Sequence, residues 1–309
     1  MDFGVHLPII AFQVQTFSRS RLVDVARAAE DLGFAAVCAN DHLVFSRPWF
    51  DSLTALAAVL SSTSRISLMT TIALPVIRGP MQLAKALAAL DILSGGRMVA
   101  GVGPGSSRED YAQAGIPFEE RWPRFDEAVR LLRSLLSSGA PPFSGRFYPP
   151  ATAPLEPTSP REGSVPIWVG SWGSDVGLRR VARLGDGWLA SAYNVTPASF
   201  ADALTRLRDH LQAAGKEPER FPHALATMFF YLTDDRQAAE EMLTEVASAL
   251  NRPADQLREQ LLIGSPAACI EKLSVLKTAG VTLVLLWPVA DDVAQLTRFR
   301  EVIVPHLSA

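Results

Sequence analysis

The chain has 309 residues, of which 48% are hydrophobic and 20% are charged, and its net charge is −3. Because apolar and charged residues are interleaved, this composition indicates a folded globular chain and excludes a disordered one. No run of Lys or Arg is long enough for a nucleic-acid-binding surface, and no apolar stretch approaches the ~18 residues of a membrane span. We therefore expect no nucleic-acid partner and no membrane insertion.

The start of the chain and its cysteines allow predictions about cellular location, disulfides and metal sites. The sequence MDFGVHLPII lacks the basic segment and the long apolar segment of a secretion signal, which predicts a cytoplasmic protein. Cys38 and Cys269 are the only cysteines, and neither has a Cys or His at metal-ligand spacing. The sequence therefore predicts two buried thiols, without a disulfide and without a metal site.

Short β-rich runs alternate with longer amphipathic segments along nearly the whole chain, a pattern that predicts parallel strands joined by crossover helices. The candidate strands are residues 3–7, 35–39, 66–73, 98–102, 166–169, 187–191, 224–232 and 282–287. The clearest helical patterns are residues 19–32, 81–93, 121–136, 175–184 and 200–213. Eight strand–helix units favour a closed α/β fold, the (β/α)8 TIM barrel, formed by residues 1–309 as a single domain.

Two segments interrupt this alternation and are predicted to be insertions, one after strand four and one after strand seven. Residues 139–166 are rich in Pro, Ser and Gly, with an aromatic, hairpin-like segment at residues 143–148. Residues 234–260 are charged and mostly helical in pattern. Long insertions are often lids or subunit contacts, but a tolerated surface loop explains each of them equally well.

Polar residues directly follow the second predicted strand. The C-terminal ends of the strands meet at one face of a parallel barrel, so residues there are the first candidates for a site. Asn40, Asp41 and His42 follow an entirely apolar run. A histidine exchanges protons near neutral pH, and Asp41 could fix the loop and the tautomer of His42 by hydrogen bonding. The alternative is that Asp41 caps the next turn and His42 only hydrogen-bonds the backbone.

Two segments of small residues follow the fourth and fifth predicted strands. The segment GVGPG at 101–105 would let the backbone approach a flat ring or a phosphate, although its glycine spacing and Pro104 disfavour a Rossmann fingerprint. The segment GSWGS at 170–174 leads directly into a helix, whose first N–H groups could bind a phosphate. The alternative is that Ser174 is simply an N-cap.

Four other residues at predicted strand ends allow two interpretations. Thr70 and Thr71 suit the packing of a barrel strand when they are considered alone. Trp172 and Trp287 could line an aromatic pocket, but packing in the core or at its rim explains each of them equally well.

Several motifs occur together in a fixed order: Asp41-His42, LSGGR at 93–97 before GVGPG, RFDE at 124–127, PIWVG at 166–170 and GDGW at 185–188. Together they resemble the bacterial luciferase-like family of flavin and deazaflavin enzymes, over nearly the whole chain. The resemblance implies a (β/α)8 barrel, commonly a homodimer, whose cofactor ring lies against strand three and whose phosphate lies near the loop after strand five. It also implies a cis peptide bond between Thr71 and Ile72.

The resemblance extends to the residues of the site. Catalytic roles are expected for His42 and Asp41. Cofactor contacts are expected at Thr70, Thr71, Ile72, Val102, Gly103, Gly105, Gly170, Ser171, Trp172, Gly173 and Ser174.

The Asp41-His42 pair and the single-chain layout are most similar to members that use the deazaflavin coenzyme F-420 (F420), which passes a hydride without activating oxygen. The alternatives are an FMN-dependent monooxygenase, in which reduced flavin reacts with oxygen, and a non-catalytic flavin-binding barrel. Ser106 replaces the acidic residue that follows the glycine turn in the sugar-phosphate dehydrogenases of the deazaflavin group. We therefore expect hydride transfer with a small organic substrate other than glucose-6-phosphate, and with His42 as acid or base.

Overall fold

The computed structural model describes residues 1–12, 17–137, 143–150, 154–159, 161 and 163–307. Nine parallel strands lie within these residues. In chain order they are β1 (Asp2–His6), β2 (Ala36–Ala39), β3 (Ser67–Thr70), β4 (Met98–Val102), β5 (Ile167–Gly170), β6 (Gly187–Ser191), β7 (His223–Leu232), β8 (Leu262–Gly264) and β9 (Leu283–Pro288).

Eight of these strands form a closed ring. Each strand from β1 to β6 pairs with the next, β6 pairs with β7, β7 pairs with β9, and β9 pairs with β1. The predicted (β/α)8 barrel is therefore confirmed, and all eight predicted strands belong to the ring. The ninth strand, β8, pairs with β7 outside the ring and was not predicted, because three residues are too short to give a strand pattern.

Helices connect the strands and cover the outside of the ring. They are α1 (Arg19–Asp31), α2 (Ser52–Val59), α3 (Pro75–Arg78), α4 (Pro80–Ser94), α5 (Arg108–Gln113), α6 (Arg121–Leu136), α7 (Asp175–Leu184), α8 (Pro197–Ala213), α9 (Arg236–Leu250), α10 (Ala254–Gln260), α11 (Pro266–Thr278) and α12 (Asp292–Arg298). Short 3-10 turns lie at Leu60–Ser62, Phe118–Glu120, Pro218–Arg220 and Val304–His306, and a π-helical turn at Phe299–Ile303. In the described ranges, no helix combines the length and the apolar character needed to cross a membrane.

The ends of the helices follow local capping chemistry. Ser18 caps α1 by accepting a hydrogen bond from the N–H of Arg21 at 3.2 Å. Gly95 ends α4 in the left-handed conformation, with φ of 71°, which costs a glycine little because it has no Cβ. The helices α6 and α7 match their predicted bounds.

Side chains from alternate strand positions fill the inside of the ring. A compact apolar cluster there consists of Cys38, Met69, Leu189, Ala224, Ala226 and Leu285. A Cβ on Gly4 would lie 2.6 Å from Leu285 Cδ2, so glycine is needed for this packing. The lumen is a packed core rather than a channel, and a ligand must therefore bind beyond the C-terminal ends of the strands.

The insertion after β4 is only partly described, because residues 138–142, 151–153, 160 and 162 lie outside the described residues. The expected hairpin-like segment is wrong, since residues 143–150 contain no strand. Its backbone is turned towards α6 instead, where Glu127 accepts the N–H groups of Arg146 and Phe147 at 3.0 and 2.8 Å. Those donors are therefore not available for a strand pair.

The insertion after β7 is confirmed, and it consists of α9, α10 and β8. Near the C-terminal end of α9, Glu245 pairs with Arg47 of the loop after β2 at 2.6 Å. Just beyond α9, Arg252 donates to Asn194 Oδ1 of the loop after β6 at 3.1 Å. Since β2 and β6 lie on opposite sides of an eight-stranded ring, this insertion connects opposite sides of the barrel mouth.

Candidate active site

His42 lies in the loop after β2 and is held by a carboxylate from another part of the chain. Its Nδ1 is 2.9 Å from Oδ2 of Asp110, in the first turn of α5. The side chain of Asp110 is 2% exposed, whereas that of His42 is 20% exposed. The histidine therefore reaches solvent at the mouth while its partner is buried behind it.

Asp41 does not hold the His42 ring, contrary to the expectation from the sequence. Its carboxylate accepts two hydrogen bonds from Arg78 of α3, at 2.5 and 2.6 Å, and a third from the N–H of Leu74. Burial works against the Arg78 charge, but Asp41 and Asp51 raise its pKa above the usual range. Asp41 is therefore half of a structural ion pair that fixes the loop after β2 against the segment after β3.

Aromatic rings surround His42 at the mouth of the barrel. Phe45 and Trp49 lie 4.7 and 4.8 Å from the His42 ring, measured between centroids. Trp49 also contacts the edge of Trp287, which stacks on His6 at 4.1 Å inside the lumen. Phe45 and Trp49 thus form an aromatic wall beside the histidine, whereas Trp287 is 1% exposed and packs in the core behind it, which is the core-packing alternative.

The end of β3 provides the floor next to this wall. The peptide bond between Thr71 and Ile72 is cis, as the resemblance implied. The N–H of Ile72 donates to Oδ1 of Asn40 at 3.2 Å, which ties this bond to the loop after β2. Thr70 is different, because its buried hydroxyl donates to the carbonyl of Gly101 at 2.7 Å within the barrel wall. The hydroxyl proton of Thr70 is therefore used within the barrel wall, and the residue is fully buried.

Two glycines after β4 and β5 pack closely around Ile72. A Cβ on Gly103 would overlap Ile72 Cδ1, and a Cβ on Gly170 would lie 3.3 Å from Ile72 Cγ2. Gly105 has a φ of 78° and lies under Leu74. The Val102 side chain is fully buried in the barrel wall, so only its backbone lies near this surface. The ends of β3, β4 and β5 thus form one continuous surface without bulky polar groups.

The loop between β5 and α7 forms a polar cradle. Ser174 caps α7 by accepting the N–H of Gly177 at 3.2 Å, and Ser171 accepts the N–H of Gly173 at 3.3 Å. A Cβ on Gly177 would overlap Ser171 Oγ, so the two hydroxyls converge only because this residue is glycine. Ser174 is therefore an N-cap, which leaves its role towards a phosphate as a prediction.

Backbone donors at the start of α7 point away from the helix. The N–H groups of Ser174, Asp175 and Val176 have no hydrogen-bond partner among the described residues, as expected for the first turn of a helix. Arg206 of α8 donates to the carbonyl of Gly173 at 3.1 Å and adds positive charge beside the loop. Free N–H groups, the positive end of the helix dipole and an arginine together favour an anion.

Trp172 does not join the aromatic wall. It is 56% exposed, and it contacts no other aromatic ring in the described part of the chain. Trp172 therefore does not form an aromatic pocket with Trp287 in this structure.

A model of the luciferase-like monooxygenase family matches residues 1–283 of this chain. The chain belongs to the luciferase-like monooxygenase family. The family resemblance seen in the sequence is confirmed, and with it the prediction that the protein is an oxidoreductase.

Individual proteins are similar to this chain over nearly their whole length. An "F420-dependent glucose-6-phosphate dehydrogenase" of Nakamurella multipartita is 30% identical over 96% of this chain and 94% of its own. An "F420-dependent hydroxymycolic acid dehydrogenase" of Mycobacterium tuberculosis is 29% identical over 95% of this chain and 86% of its own. The crystal structure of monooxygenase RslO1 from Streptomyces bottropensis has a TM-score of 0.88 at 24% identity, with complete coverage of both chains. This last likeness shows the fold.

Sequence reasoning about this luciferase-like barrel missed Asp110, Trp49 and His6. Asp110 follows Ser107 by three residues at the start of a helix, a spacing that indicates only a helix cap. Trp49 lies beyond the polar run after β2, and His6 lies inside an apolar strand pattern. The only available signal was a polar ring within an otherwise apolar strand pattern at His6.

Proposed function

We propose that this protein is an F420-dependent oxidoreductase that transfers a hydride between the deazaflavin and a small organic alcohol or carbonyl compound. The names of the two similar curated proteins support F420 as the cofactor, because both act with F420. The observation that carries the proposal is the tethered His42, whose Nε2 has no partner in the described residues and lies beside the aromatic wall. Such a group can move a proton at a substrate oxygen.

The residues around Ile72 fit the flat ring of a deazaflavin or flavin. Gly103 and Gly170 have no side chains to block this surface, and Ile72 offers an apolar contact between them. The cis bond at Thr71 lies at the same place. A planar ring could lie against this floor, with the aromatic wall and His42 at its edge.

The cradle after β5 fits the phosphate of such a cofactor. The free N–H groups of Ser174, Asp175 and Val176 would donate to phosphate oxygens, and Arg206 would partly neutralise their charge. Gly173 has a φ of 92°, so a side chain there would be strained as well as close to Ala203. The same cradle would serve F420 and FMN, since both carry a phosphate.

In this arrangement the protein positions the substrate and handles the proton. A bound deazaflavin supplies the hydride chemistry. His42 Nε2 would take the proton of a substrate hydroxyl during oxidation and return it to a carbonyl oxygen during reduction. Phe45 and Trp49 would keep water away from the reacting carbon and favour an apolar substrate body.

The substrate need not be the one named for the Nakamurella relative. Ser106 stands, exposed, at the position where sugar-phosphate dehydrogenases of this group have an acidic residue. We therefore expect little activity with glucose-6-phosphate and more with apolar alcohols. A homodimer and a cytoplasmic location remain predictions.

A second candidate function is an FMN-dependent monooxygenase. The structural likeness to monooxygenase RslO1 favours its consideration, and the cradle does not distinguish the two cofactors. In that case reduced FMN and oxygen, rather than F420, would be required for turnover.

The deciding experiment is a titration of the purified protein with F420 and with FMN, followed by intrinsic tryptophan fluorescence. Trp49 lies at the mouth beside His42 and should report binding. We expect saturable quenching by F420, and F420 reduction with a panel of primary and secondary alcohols. Binding of FMN alone, with oxygen uptake when it is reduced, would replace the proposal by the monooxygenase. Binding of neither cofactor would refute both.

A further inference from the structure

We propose that Asp110 is a positioning residue that sets the tautomer of His42, so that Nδ1 carries the ring proton and Nε2 is left as the proton acceptor. The inference rests on the proposed function only for the role of Nε2 as proton acceptor in the reaction. The tautomer itself is a property of the free protein. It gives the site an acceptor for the hydroxyl proton of an alcohol substrate.

The two carboxylate oxygens of Asp110 have different hydrogen-bond partners. Oδ1 accepts the N–H groups of Leu43 at 3.0 Å and Val44 at 2.7 Å, and Oδ2 faces His42 Nδ1 at 2.9 Å. Backbone amides can only donate, so they keep Oδ1 in place. The N–H of Asp110 itself donates to Ser107 Oγ at 3.0 Å, which fixes the residue at the start of α5.

This arrangement determines which nitrogen of the ring carries the proton. An ionised carboxylate is an acceptor only, so Oδ2 requires the proton to be on Nδ1. The lone pair of the neutral ring is then on Nε2, for which no partner exists within the described residues. During alcohol oxidation the hydroxyl proton would move to Nε2, the hydride would leave the carbon for the deazaflavin, and the C–O bond would become a carbonyl.

The same geometry makes Asp110→Asn a sharp test. The amides of Leu43 and Val44 would hold the carboxamide oxygen in the place of Oδ1, which turns the NH2 group towards His42. Rotation of the carboxamide would keep the hydrogen bond with protonated Nδ1 of His42 but lose the two from the amides of Leu43 and Val44. Because NH2 only donates, Nδ1 would have to accept, and the ring proton would move to Nε2. The size and position of the side chain would hardly change, yet Nε2 would no longer accept a proton.

The measurement is nitrogen NMR of histidine-labelled protein without cofactor, with the His42 signals assigned by their loss in His42→Gln. We expect a protonated Nδ1 in the wild type and a protonated Nε2 in Asp110→Asn. Glu109→Gln is the matched control, since it removes the same charge from the adjacent exposed residue, and it should leave the wild-type tautomer unchanged. Turnover should fall by roughly 10²–10⁴-fold in Asp110→Asn, while F420 affinity is retained.

The outcomes separate the inference from the proposed function. A wild-type His42 that carries its proton on Nε2 overturns the inference, even if Asp110→Asn fails to fold. An unchanged tautomer in a folded Asp110→Asn also overturns it. A reversed tautomer supports the inference, and if the wild type then shows no F420 turnover, it is the proposed function that fails.

Discussion

His6 should make the protein less stable in mild acid, and replacing it by phenylalanine should remove that effect. The ring is fully buried at the end of β1, stacked on Trp287, and neither ring nitrogen has a partner among the described residues. Burial lowers the pKa of His6 from 6.5 to about 3. The facing residue on β2 is Cys38, whose pKa is raised by burial, so its thiol stays neutral throughout this range.

The sign and size of the effect follow from proton linkage. A base with a folded pKa below its unfolded pKa is protonated preferentially in the unfolded chain, so stability is complete above pH 6.5 and declines as the pH falls towards 3. Between pH 8 and pH 5, His6 alone should lower the free energy of unfolding by about 2 kcal/mol. Its full contribution, reached below pH 3, would be about 5 kcal/mol.

The assay is urea unfolding of the wild type and His6→Phe at pH 8, 6.5 and 5, followed by tryptophan fluorescence. Phenylalanine can stack on Trp287 without requiring hydrogen bonds, and His6→Leu provides a smaller apolar replacement. Only the change with pH is compared, so a general loss of stability in a variant does not matter. If the wild type and both variants lose the same free energy between pH 8 and pH 5, the reasoning about His6 is refuted.

Three further predictions concern the site. His42→Ala should keep F420 affinity but lower turnover by roughly 10²–10⁴-fold, and unchanged steady-state rates would remove His42 from the mechanism. Gly173→Ala should weaken F420 binding roughly tenfold or more, because a side chain there strains the cradle. The control is Gly215→Ala, at a position that also has positive φ but has open space around its Cβ. This control should cost about 1 kcal/mol of stability and leave F420 binding unchanged. Fluorescence titration compares the two. Asp41→Ala should lower the free energy of unfolding by about 3 kcal/mol, because Arg78 loses its buried partner, and a loss below about 1 kcal/mol in urea would contradict that role.

The strands and many of the helix ends could be read from the chain because their causes are local. All eight ring strands come from short apolar runs, and α7 begins directly after Ser174 because this serine hydroxyl caps the N–H three residues later. The glycine-rich segment after β4 was also recognised as a place where the backbone is open to close approach, since steric room depends on the residue itself, and Gly103 lies against Ile72. What remained ambiguous was whether each polar residue at a strand end serves packing or a ligand.

The partners of those polar residues were decided by the tertiary structure. Asp41 and His42 are adjacent in the chain but have different partners. Asp41 is buried against Arg78, and His42 is held by Asp110. The position of Asp110 in the chain suggests a helix cap, and no local pattern connects it with a histidine 68 residues earlier. Closure of the barrel brings the loops after β2 and β4 together over the end of β3. Periodicity and capping depend on residues that are close in the chain, so they can be predicted from the sequence. Hydrogen bonds between loops depend on how the whole ring closes, so only the tertiary structure determines them.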